Sequence, residues 1–186
     1  GDDIGVLVVA GRLAVALLST ATVWYTWRAA RQGFKDAAGY AILAAVLVAT
    51  AQSQVAFGSS ELPRPVSTAL VCAAFSCLTK PSRRRVLVAG LALGLAATCR
   101  FSEAIFVLPA VLCLLFERRW SGSALLLLTS VAVAASVLSV TDAWYWGQPF
   151  HSLRAIVDYT LVERLSSRGY QSWWWYLTHA SDWINP

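Results

Sequence analysis

Long apolar runs separated by short polar clusters set the pattern of this chain. The first run, Ile4 to Trp27, carries one charge, Arg12, and ends in the aromatic group Trp24-Tyr25-Thr26-Trp27. A second, Ala37 to Phe57, is almost pure Ala, Val and Leu. It is followed by the polar, proline-containing turn Gly58–Pro65. The third, Val66 to Thr79, is short and closes on Lys80-Pro81-Ser82-Arg83-Arg84-Arg85. The fourth, Val86 to Phe116, is broken by Arg100-Phe101-Ser102-Glu103, and each half is too short for an upright membrane crossing of about 20 residues. Two short helices with a polar break, or one long bent helix, both fit that segment. The fifth run, Ser123 to Val140, leads to Asp142 and a tail rich in tryptophan. Runs of this length and apolarity predict an all-α, polytopic transmembrane bundle of five or six spans over 1–142. Residues 143–186 are expected to form a Trp-rich segment at the outer membrane surface. Leu153, Ile156, Val157, Thr160, Leu161 and Leu165 repeat there at helical spacing, which predicts an interfacial helix near His151–Ser166.

Composition strengthens this picture. Of the 186 residues, 58% are hydrophobic and 13% charged, against about 25% charged in an ordinary globular domain. The net charge of +5 does not indicate nucleic acid, because nine of the fifteen Lys and Arg fall in three short segments, 28–36, 80–85 and 117–119. That is the positive-inside pattern, and it predicts that these segments are cytoplasmic. The turn before Val66, the Arg100–Glu103 break and the tail from Asp142 then share the outer face, provided the fourth run crosses twice. The cysteines, at positions 72, 77, 99 and 113, lie inside apolar runs without a CxxC pair and read as small apolar filler. Asp2-Asp3 lacks the spacer of a metal-binding pair and reads as a solvated end. The Ala, Leu and Val bias, with Arg preferred over Lys, favours a bacterial inner membrane over the endoplasmic reticulum. With no Met and no signal-like start, the chain is expected to be an internal fragment.

The candidate chemistry lies on the outer face. Arg100 and Glu103 are three apart, share a helix face and break an otherwise apolar stretch. A guanidinium there binds phosphate in a fork, and the bland account is a self-neutralising pair at a helix joint. Glu61 and Arg64 either pair locally or form a polar cavity wall. Asp142, Tyr145 and Trp146 either cap a helix at an aromatic belt or face a sugar or lipid headgroup. Trp174 sits among three consecutive tryptophans that cannot share one helix face, so some bury in headgroups and one is free to stack on a sugar. His179 beside them reads as a hydrogen bonder.

The order of these features resembles a known family. Trp24-Tyr25-Thr26-Trp27-Arg28-Ala29-Ala30-Arg31 comes first, then Ser60-Glu61-Leu62-Pro63-Arg64-Pro65, then Gly90-Leu91-Ala92-Leu93-Gly94-Leu95-Ala96 running into Arg100-Phe101-Ser102-Glu103. Asp142, Tyr145-Trp146-Gly147-Gln148-Pro149-Phe150, Gly169 and Trp173-Trp174-Trp175-Tyr176 follow. This order is similar to the GT-C glycosyltransferases, and most to the Alg9-like and GPI mannosyltransferases of glycosyltransferase family 22. The resemblance implies transfer of a sugar from a polyprenyl-phosphate carrier to a glycan, glycolipid or other acceptor on the outer face of a bilayer. It also implies a catalytic acid in the first outer loop, expected upstream of Gly1, so no catalytic residue is assigned. Arg100 then meets the donor phosphate and Asp142 positions substrate. A cofactor is not specified, and a divalent metal stays open. A secondary transporter and a non-catalytic assembly subunit are the alternatives.

Overall fold

The computed structural model describes residues 2–33, 38–51 and 63–159. Among these residues all regular structure is helical. Seven α-helices follow in chain order: α1 (Asp2–Gly33), α2 (Ala38–Thr50), α3 (Pro63–Leu78), α4 (Arg83–Cys99), α5 (Val107–Phe116), α6 (Trp120–Trp146) and α7 (His151–Val157). A 3₁₀ turn, Phe101–Phe106, joins α4 to α5. This is the expected all-α class. The chain divides into two compact units, Gly1–Val137 and Leu138–Pro186.

Two helices, Val8–Gly33 within α1 and α6, are long and apolar enough to cross a membrane. Only 17% and 11% of their most apolar windows are buried, whereas the core helix of a soluble protein hides most of its surface. Leu17, Ile42, Leu47, Leu128 and Val131 are all more than half exposed. Apolar surface on this scale fits a lipid solvent better than water.

The fourth apolar run resolves into two short helices and not into one bent helix. Three features explain it. Arg100 adopts an extended backbone (φ −151°, ψ 120°) and caps α4, its N–H donating to Ala96 O at 3.0 Å. Its carbonyl accepts from Glu103 N at 2.9 Å and so starts the 3₁₀ turn. Pro109 then sits in the first turn of α5, where a missing N–H costs nothing. Its ring would clash with the carbonyl of Ile105 if an α-helix ran straight through. The chain therefore doubles back. α4 rises about 25 Å, and the 3₁₀ turn with α5 rises about 27 Å. The matched legs return Arg119 to the start of α4, where its guanidinium donates to Pro81 O at 2.7 Å.

The other basic segments meet at this end. Thr79 Oγ1 donates to Gln32 Oε1 at 2.7 Å, so α3 finishes beside the last turn of α1. Arg28, Arg31 and Lys80 line one small cavity there. Two expected boundaries shift. Arg28 and Arg31 lie on α1 and not in a loop after it, and Asp142, Tyr145 and Trp146 lie on the last turns of α6. Helices extend past the apolar run because backbone hydrogen bonding continues wherever no proline or glycine stops it.

The core of the first unit is built from small residues. Ala74, Ala89, Leu93, Ala96, Ala110, Leu114 and Leu126 are buried together. Gly90 and Gly94 let α4 and α6 approach closely. A Cβ on Gly94 would lie 2.7 Å from Ser130 O and 2.8 Å from Val133 Cβ; one on Gly90 would lie 2.8 Å from Thr129 Cβ. Small residues four apart permit such backbone contact between apolar helices, where dispersion and not water exclusion holds them together.

Candidate functional site

At the end of the first unit away from the basic segments, two side chains come together around one carboxylate. Glu103 sits in the 3₁₀ turn and is buried. A buried carboxylate needs partners. Its Oε1 is 3.4 Å from Arg100 Nη1 and 3.4 Å from the Ser67 hydroxyl. The same hydroxyl has its shorter bond, at 3.0 Å, to Arg64 O within the first turn of α3, and its contact with Glu103 sets that turn against the break. The 3.4 Å distances are long for charge-assisted bonds, and the Arg100 contact is single, not forked. With 38% of its side chain exposed, Arg100 gains little from this pair, less than about 1 kcal/mol. Most of its five N–H donors are uncommitted among the described residues. Glu103 is thus a buried acid, and Arg100 a half-buried cation beside it. That arrangement can accept an anion without breaking the fold.

α3 meets the break through Ser67 and Glu103, and Arg64 stands one turn before Ser67 on the same helix. Ser67 was missed by sequence reasoning. Its only signal is its place one turn after Arg64, on the side of α3 that repeats buried positions. Glu61 lies outside the described residues. Arg12 is exposed on α1.

Asp142 is described within the second unit. It is 4% exposed, and both oxygens are engaged: Oδ2 accepts from Ser152 N at 2.9 Å and Oδ1 from Ser152 Oγ at 2.6 Å. Ser152 is the second residue of α7, so the carboxylate satisfies a free helix donor at the positive end of that helix. The turn between α6 and α7 needs two left-handed residues, Gly147 (φ 70°) and Phe150 (φ 60°), and the Asp142 clamp holds it closed. Ser152, too, was not singled out by the sequence. Trp146 stacks on His151 at 4.9 Å, while Tyr145 and Trp144 are 80% and 85% exposed. The described part of the tail contains α7 with Leu153, Ile156 and Val157 exposed on it, where an interfacial helix was expected. Trp174 and the rest of that stretch lie outside the described residues. No three His, Cys, Asp or Glu side chains converge among the described residues.

The model of the Alg9-like mannosyltransferase family matches residues 2–185. The chain belongs to that family. The resemblance carried by the order of its motifs is therefore correct, and the family is one of glycosyltransferases, which take a sugar donor and an acceptor. Its members are membrane proteins, in keeping with the two long apolar helices. No curated protein and no solved structure matches the chain.

Proposed function

We propose that this chain is part of a multi-pass mannosyltransferase of the bacterial inner membrane, which moves mannose from a polyprenyl-phosphate carrier to an acceptor hydroxyl on the face opposite the basic segments. The bond from the sugar carbon to the phosphate oxygen breaks, the acceptor oxygen forms the new bond, and the acceptor proton leaves to a carboxylate base. No residue of this chain is assigned as that base. The leaving group is a lipid phosphate whose charge grows in the transition state, and a cation aimed at it lowers the barrier. Arg100 is that cation. The observation that carries the reading is the asymmetry of its pair: a buried, doubly contacted Glu103 holds a half-buried guanidinium, open to solvent on one side, through one long contact. Arg64 lies on the first turn of the helix that meets this break, and in the second unit the exposed Tyr145 and Trp146 offer flat apolar surface suited to sugar rings while Asp142 holds their turn in place. Glu61 and Trp174, which lie outside the described residues, are assigned to the same substrate by the sequence reading. Family membership favours this transferase over a transporter fragment or an assembly subunit.

The test is sugar transfer from a polyprenyl-phosphate-mannose donor by the full-length enzyme in membranes. The double variant Arg100→Gln/Glu103→Gln keeps the joint neutral and should fold, yet lose transfer about 100-fold. Arg100→Lys should retain partial activity, because a point charge survives and the fork does not. Near-normal transfer by the double variant would reduce the pair to a helix joint.

A further inference from the structure

A second feature lies at the end of the first unit that carries the basic segments. A cavity of about 850 Å³ opens there between the start of α4 and the start of α6. Arg83, Arg118 and Arg119 line it together with the hydroxyl-bearing Ser121, while Leu125 and Leu128 of α6 make an apolar wall. No carboxylate lines it among the described residues. Arg119 is committed to Glu117 at 3.0 Å and to Pro81 O. The guanidiniums of Arg83 and Arg118 have no hydrogen-bond or ion-pair partner among the described residues. Two free guanidiniums on one cavity repel each other unless an anion joins them.

The backbone adds an independent sign. Arg118 has φ 58°, with its N–H bonded to Leu115 O at 2.8 Å and Arg119 N to Leu114 O at 2.9 Å. This is the left-handed closing turn of α5, a position that favours glycine. A long charged side chain there is strained, and strain of this kind gathers at working sites.

We infer that this cavity binds one anionic diacyl phospholipid of the surrounding bilayer, its headgroup phosphate bridging Arg83 and Arg118 and an acyl chain lying along Leu125 and Leu128. Guanidiniums meet phosphate oxygens two at a time, and the free N–H donors of these two suffice for one phosphate. Leu128 is 69% exposed and lies about 12 Å along α6 from Trp120. Trp120, itself 70% exposed, is of the type that sits at headgroup level. The wall therefore runs from the headgroup layer into the hydrocarbon, as one acyl chain does. Basic pockets between apolar helices on the cytoplasmic side suit anionic lipids in this way. The inference rests on the membrane reading above but not on the role of Arg100.

The test uses the full-length protein in neutral detergent, with dioleoyl-phosphatidylglycerol as the probe. Native mass spectrometry counts bound lipid and a thermal melt follows protection. One phosphatidylglycerol should bind saturably, ahead of dioleoyl-phosphatidylcholine, and raise Tm with its concentration. Arg83→Gln/Arg118→Gln should weaken binding roughly thirtyfold. Arg28→Gln/Arg84→Gln, an equal loss of charge outside this cavity, should leave it unchanged. Arg118→Gly restores the residue that the turn prefers, so it should raise Tm without lipid while weakening phosphatidylglycerol binding, a result that misfolding cannot mimic. Equal weakening by the two double variants would show diffuse attraction and overturn the proposal. So would equal binding of phosphatidylcholine, or full protection by inorganic phosphate alone. Transfer activity is not the readout, so failure of the Arg100 reading leaves this result interpretable.

Discussion

Replacing Gly94 by alanine tests what holds α4 against α6. In an isolated helix the change favours alanine by about 1 kcal/mol. Here the new Cβ would stand 2.7 Å from Ser130 O and 2.8 Å from Val133 Cβ. Neither atom moves away by rotating a side-chain torsion, because one is backbone and the other is fixed to it. The helices must separate by several tenths of an ångström, and overpacking of this kind costs about 1–3 kcal/mol. Two contacts below 3.0 Å place this site in the upper part of that range, so the net loss should be about 1–2 kcal/mol after the helix gain. Gly39→Ala is the matched control: its Cβ meets nothing within 4 Å, and the substitution should be neutral or stabilise by up to about 1 kcal/mol. The assay is reversible unfolding of the full-length protein in mixed micelles, followed by tryptophan fluorescence. A Gly94→Ala protein as stable as Gly39→Ala would refute close α4–α6 packing. The double variant Gly90→Ala/Gly94→Ala should lose less than the sum of the two, since one separation of the helices relieves both.

Three further outcomes are expected. Ser152→Ala removes one of the two bonds to Asp142; it should cost about 1–2 kcal/mol locally and speed amide exchange in α7 about tenfold, and unchanged exchange would remove the clamp from the account. Cysteines introduced at Arg84 and Gln171 should react with an impermeant reagent from opposite sides of the membrane, and labelling of both from one side would defeat the topology. Arg100→Lys should lose more transfer than Ser67→Ala, because the serine touches only the anchor Glu103, at 3.4 Å; the reverse order would move the binding role from the cation to its support.

The charge pattern anticipated the reversal of the fourth run. Putting residues 80–85 and 117–119 on one side left no other route, and the Arg119–Pro81 contact places these segments side by side. Pro109 carried the reason within the sequence itself: a proline four residues after Ile105 forbids a continuous α-helix there. The boundaries of α1 and α6 were less legible. Where an apolar run ends, a helix has no reason to stop until a breaker arrives, so Arg28 and Asp142 fell inside helices and not beyond them.

What the sequence by itself determined is what depends on composition along the chain: helical class, apolar spans suited to a membrane, and membership of a mannosyltransferase family through the order of its motifs. What only the tertiary structure decided is what depends on partners distant in sequence. Glu103 is anchored by Ser67, 36 positions away, and Asp142 is occupied by Ser152 across a turn with two left-handed residues. Gly90 and Gly94 have the spacing of a contact surface, but the surface they meet, Thr129 to Val133, carries no complementary signal. Arg83 and Arg118 look alike in sequence to every other arginine of the basic clusters; one cavity and one left-handed backbone set them apart. The physical reason is common to all four cases. Solvent preference is a property of each residue and sums along a segment, whereas a contact is a property of a pair, fixed only when the chain has folded both members into place.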